Sequence, residues 1–66
     1  MMIRVNGNKR EVPQEITLEE LFEHFNLKKK SVVLELNRKV VDRASFTATR
    51  LKEDDAIEIV HFVGGG

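Results

Sequence analysis

The sequence closes on Val63-Gly64-Gly65-Gly66, directly after an apolar run, and nothing else in the chain offers comparably pointed chemistry. Glycine has no Cβ and the widest backbone freedom, so consecutive glycines form a thread that a narrow channel can admit. A terminal glycine leaves its own carboxylate as the functional group at the tip. That group is ionised at neutral pH and is a poor electrophile until something activates it. Gly66 is therefore the candidate reacting residue, with Gly64 and Gly65 as its slender approach. The bland alternative is an ordinary loose end, a common property of termini.

The remaining side chains point to no catalytic residue. The chain has no cysteine, which removes disulfides, thiolate metal sites and thiol nucleophiles. With two histidines, His24 and His61, and no cysteine, metal binding is not expected. Ser31 and Ser45 have no nucleophile-elbow context, and no phosphate-cradling glycine motif is present. Glu53-Asp54-Asp55 lacks the spacing of a calcium loop and reads as a turn. An inert body behind a reactive tip implies that partner enzymes perform the chemistry.

Composition narrows the partners. Eleven basic residues balance eleven acidic ones, so the chain has no electrostatic footprint for nucleic acid. Its four aromatics are all Phe and are not interleaved with Lys or Arg, which argues against base-stacking platforms. There is no signal-peptide layout at Met1–Asn6 and no apolar run of membrane-spanning length. With the lack of cysteine, this predicts a cytoplasmic protein. Sixty-six residues allow one small domain, here 1–63, with 64–66 as a flexible tail.

The elements that must position the tail follow from pattern. Asn6-Gly7 between Met2–Val5 and Lys9–Val12 predicts a two-residue hairpin turn, with Ile3, Val5 and Val12 facing the core. Thr17 and Glu20 form a capping box ahead of a helix whose stripe is Leu18, Leu21, Phe22 and Phe25, ended by Asn26. Lys28-Lys29-Lys30 complements the helix dipole. Ser31–Leu36 and Lys39–Val41 make a second hairpin around Asn37-Arg38; a helical turn then drops Phe46, followed by Leu51, into the core. The strand Ala56–Val63 delivers the tail. The expected fold class is α+β, a small mixed sheet with one helix across one face. Alternation sends Ile57 and Ile59 inward and Glu58, Val60 and Phe62 outward, and Glu35 likewise sends Val33 outward. Val33, Val60, Phe62 and Val63 then make an apolar docking patch at the root of the tail, unless a twist or bulge turns Phe62 into the core.

The chain resembles the ThiS-type sulfur carriers of thiamine thiazole biosynthesis, within the ubiquitin-like β-grasp superfamily. The resemblance is carried by Ile3-Arg4-Val5-Asn6-Gly7, Thr17-Leu18-Glu19-Glu20-Leu21, Val33-Leu34-Glu35-Leu36-Asn37 and, most specifically, Asp55-Ala56-Ile57-Glu58-Ile59-Val60-His61-Phe62-Val63-Gly64-Gly65-Gly66. Asp54 stands where such carriers commonly have a turn glycine. The resemblance implies a five-stranded β-grasp with parallel first and last strands at the sheet centre. It implies that a ThiF-type E1-like adenylyltransferase, using ATP and Mg²⁺, activates the Gly66 carboxylate. Sulfur from a cysteine desulfurase or another donor would then give a thiocarboxylate, and a ThiG-type thiazole synthase would accept it. The carrier itself would be a cosubstrate holding no cofactor. A MoaD-like carrier for molybdopterin synthesis, a ubiquitin-like modifier, and a β-grasp interaction domain without transfer are the rival readings.

Overall fold

In a computed structural model, which describes residues 1–28 and 32–61, the predicted elements form over their described parts, while Lys29, Lys30 and Ser31 of the expected Lys run and third strand lie outside the described residues. Strand β1 (Met2–Val5) turns through Asn6 and Gly7 into β2 (Asn8–Glu11). The turn residues have φ of 50° and 84°, the positive pair that a type I′ turn demands. Val12 lies one residue past β2 and is buried; its N–H donates to Met1 O at 2.8 Å.

Helix α1 (Leu18–His24) has every amide of its first turn accounted for. Leu18 N–H donates to Thr49 O, Glu19 N–H to Phe46 O, Glu20 N–H to Thr17 Oγ1 and Leu21 N–H to Thr17 O, while Glu20 Oε1 accepts from Thr17 N–H at 2.9 Å. These are the groups a helix start leaves orphaned; the capping box and the 46–49 segment share them. The helix ends as a Schellman motif with Asn26 at φ 56°. Leu27 N–H donates to Phe22 O at 2.7 Å and Asn26 N–H to Glu23 O at 3.1 Å.

Strand β3 (Val32–Leu36) and β4 (Lys39–Val41) pair across Asn37-Arg38, another turn with two positive φ values, 51° and 72°. A 3₁₀ turn (Arg43–Ser45) then leads into buried Phe46. Strand β5 (Ala56–His61) completes a five-stranded sheet of order β2-β1-β5-β3-β4. β5 runs parallel to β1 and antiparallel to β3, which places it at the centre. The expected strand over Ala56–Val63 is seen to His61, and its last two residues lie outside the described residues.

Leu18, Leu21 and Phe22 press onto the inner face of the sheet, against Ile3, Leu34 and Ile57, with Phe46 closing one end. Phe25 is only partly buried because it caps the helix. Val5 likewise packs at the margin of the core.

The Glu53-Asp54-Asp55 turn holds Asp54 at φ 70°, with Asp54 N–H donating to Met2 O at 2.8 Å. Asp55 Oδ2 accepts from Lys52 N–H at 2.7 Å. A left-handed residue with a Cβ carries strain that glycine lacks. Asp54→Gly is therefore expected to be neutral or stabilising by about 0.5 to 1 kcal/mol, the relieved strain outweighing the added freedom of the unfolded chain. A urea melt reads the effect, and a clear loss of stability would contradict it.

Candidate functional site

The site is the end of β5 and the sheet face beside it. Ile57 and Ile59 are buried, whereas Glu58 is exposed and Val60 is 56% exposed. Val60 is the register partner of Val33, and Glu58 of Glu35, so these four share the outer face. Val40 pairs with Glu35 and is 64% exposed. Met2, on the same face of β1 as Arg4, is also exposed. Among the described residues the large exposed apolar side chains thus fall on one open sheet face, opposite the helix. Val33 and Val60 stand together there as expected from alternation; Phe62, Val63, Gly64, Gly65 and Gly66 lie outside the described residues.

The carboxylates of that face are unusual in their register. Glu35 and Glu58 sit directly opposite each other on neighbouring strands, an arrangement that disfavours the isolated sheet through like-charge repulsion. Val33 and Val60 form the next pair on that face toward the end of β5. A complementary surface would be apolar with a basic group.

On the helix side, a cleft of about 390 Å³ opens between the helix C-terminus, at Phe25 and Leu27, and the end of the β1/β5 pair, at Val5, Asn6, Ile59 and His61. It flanks the last described residues of β5. Asn6 reaches from the hairpin turn to β5: Ile59 N–H donates to Asn6 Oδ1 at 2.7 Å and Asn6 Nδ2 donates to Ile59 O at 3.3 Å. Asn37 acts similarly at the other end, with Ala56 N–H donating to its Oδ1 at 2.9 Å and its Nδ2 donating to Asp55 Oδ1 at 3.0 Å. Sequence reading assigned both asparagines to turns and missed these bonds, whose partners are 53 residues away for Asn6 and 18 and 19 residues away for Asn37. Asn is already the favoured first residue of such a turn, so nothing local marked its side chain as bonding a distant strand.

His24 and His61 are exposed on separate elements, and among the described residues no three His, Cys, Asp or Glu are grouped to hold a metal ion. No helix among the described residues is long and apolar enough to cross a membrane.

The five-stranded mixed sheet with one helix is a fold that known proteins share. The family model described as the ThiS family matches residues 3–66. The sulfur carrier protein ThiS of Bacillus subtilis is 33% identical over 66 residues, covering 98% of this chain and 100% of that protein. A thiazole synthase of Magnetococcus marinus is 41% identical over 66 residues, covering all of this chain but 20% of the longer protein, so the chain spans a fifth of that relative's length. The crystal structure of a thiamine biosynthesis protein (ThiS) from Geobacter metallireducens superposes with a TM-score of 0.87 at 35% identity, covering 100% of both chains. The strand order, the single helix and the match along nearly the whole sequence agree, and the chain belongs to the ThiS family.

Proposed function

We propose that this sulfur carrier of thiamine biosynthesis holds its cargo as a thiocarboxylate on Gly66. The observation that carries the reading is the placement of β5, the central strand, whose sequence continues into Gly64-Gly65-Gly66. A strand anchored on both sides gives a rigid base, and three glycines give a tip that meets no steric obstacle at the reacting carbonyl. An E1-like adenylyltransferase of the ThiF type would join the Gly66 carboxylate to the α-phosphorus of ATP, releasing pyrophosphate. The resonance-stabilised anion becomes an acyl adenylate with AMP as leaving group. Sulfur drawn from a cysteine desulfurase or related donor then displaces AMP, exchanging one C–O bond for C–S. ATP and Mg²⁺ belong to the activating enzyme, and the carrier serves as cosubstrate in the cytoplasm rather than as catalyst.

A thiazole synthase of the ThiG type is the acceptor in this reading. Similarity to one fifth of a thiazole synthase supports it, because joining carrier and acceptor in one chain raises their effective concentration. Intact-mass measurement after incubation with the activating enzyme, ATP and hydrosulfide tests the assignment. One oxygen should be replaced by sulfur, only when ATP is present, and an unchanged mass would defeat it.

The open sheet face is the docking surface for these enzymes, through Val33 and Val60 and, at the root of the tail, Phe62 and Val63. Val60→Asp places a charge in the patch without touching the core and is expected to weaken binding to both enzymes by roughly 1 to 2 kcal/mol; Phe62→Ala should weaken it too. Titration of each variant, with a thermal melt alongside, decides the matter. Unaltered affinity, or collapse of the fold, would remove these residues from the docking surface.

A further inference from the structure

We propose that Asn6 is a positioning residue for sulfur loading: its carboxamide stands in for a peptide group beside β5 and fixes the line along which the tail leaves the sheet. The proposal rests on the carrier reading above. β3 accompanies β5 to the pair Val32 and His61, but β1 accompanies it only at Ala56 and Ile57. β1 ends because the chain must reverse through Asn6 and Gly7. Among the described residues the last backbone bond on that side is Asn6 N–H to Ile57 O at 2.8 Å. One step further, Ile59 would turn its N–H and C=O toward the cleft with no strand beside them. The Asn6 side chain meets both, accepting at 2.7 Å and donating at 3.3 Å.

Asparagine alone among the residues suited to this turn can do so. It tolerates φ of 50° and carries one acceptor and one donor group like a peptide unit. Glycine would serve the turn and supply neither group, and aspartate would supply only the acceptor. Gly66 lies seven residues beyond Ile59, a reach of at most about 23 to 25 Å. Loosening of β5 at the clamp widens the range of directions in which the chain beyond it sets out, and misplacement of about 1 Å at the reacting carboxylate can cost a hundredfold in rate.

Asn37 provides an internal control, since it bonds the beginning of β5 from a turn of equal φ and lies at the far end from the tail. The test compares Asn6→Gly, Asn6→Asp and Asn37→Gly in thiocarboxylate formation with the activating enzyme, ATP and hydrosulfide, with amide hydrogen exchange read in the free proteins. Asn6→Gly should accelerate exchange at Ile59 and lower kcat by about tenfold, while KM for the carrier stays within about twofold because the outer face is untouched. Asn6→Asp, keeping the acceptor for Ile59 N–H, should recover part of the rate. Asn37→Gly should lower the melting temperature but leave kcat in place. An unchanged kcat for Asn6→Gly, or an equal fall for Asn37→Gly, overturns the proposal. Should Asn6→Gly fail to fold, a wild-type kcat for Asn6→Asp with accelerated Ile59 exchange overturns it instead. If the wild-type protein shows no ATP-dependent conversion, the carrier reading itself has failed and the positioning role falls with it.

Discussion

Deleting Gly66 should abolish ATP-dependent sulfur loading while leaving the melting curve unchanged. The two halves of that expectation come from different parts of the molecule. Among the described residues the buried core runs from Ile3 to Ile59, and a terminal glycine has no side chain to bury. The reacting carboxylate, in contrast, would move back by one residue, and the new tip would stop about 3.3 to 3.6 Å short of its former reach. Loss of contact with ATP over that distance removes the in-line approach that the adenylation step needs, and misplacement near 1 Å already costs about two orders of magnitude. Intact mass and a thermal melt on the same sample give both readings. Loading at the wild-type rate would exclude Gly66 as the carrier atom's host and favour an interaction domain without transfer. Loss of the fold would show instead that the glycines are structural.

Phe22→Ala is expected to unfold most of the protein at room temperature. Phe22 is 1% exposed on the buried face of α1, its ring centroid 5.4 Å from that of Phe46. Truncating such a side chain costs about 3 to 5 kcal/mol, because the removed ring loses its transfer free energy and the cavity collapses only in part. A chain of 66 residues has a total stability of about 3 to 10 kcal/mol at the usual value per residue. One substitution can therefore consume the whole margin, which a larger domain would survive. Phe46→Leu, which leaves most of the volume filled, should cost less, about 1 to 2 kcal/mol. Circular dichroism in urea distinguishes them. Comparable small losses for both would mean that the helix and sheet can close over the gap.

The local elements were legible because their causes are local. A capping box needs only Thr17 and Glu20 three residues apart, and both bonds are present. A type I′ turn needs residues that accept positive φ, and Asn6-Gly7 and Asn37-Arg38 have it. Asp54 at φ 70° agrees with its replacing a turn glycine. Alternation along β5 placed Val60 outward and Ile59 inward because the side-chain period of a strand is two. Element ends were less legible: β2 starts one residue earlier than the apolar pattern suggested, since pairing with Val5 and not hydrophobicity sets its first residue.

By itself, then, the sequence determined the hairpins, the capped helix and the inward and outward faces of the strands, and it raised the glycine-tipped carboxylate as the proposed place for chemistry. These depend on spacings of a few residues and on the backbone preferences of individual side chains. Tertiary structure alone decided which residues meet across the chain. It brought Val33 beside Val60 and Glu35 opposite Glu58 on the open face. It also turned two asparagines of separate hairpins into clamps on the two ends of β5. Such pairings depend on register between strands far apart in sequence, and register is settled only when the shared core of α1 and the sheet closes and leaves one alignment that buries the inner face of the sheet.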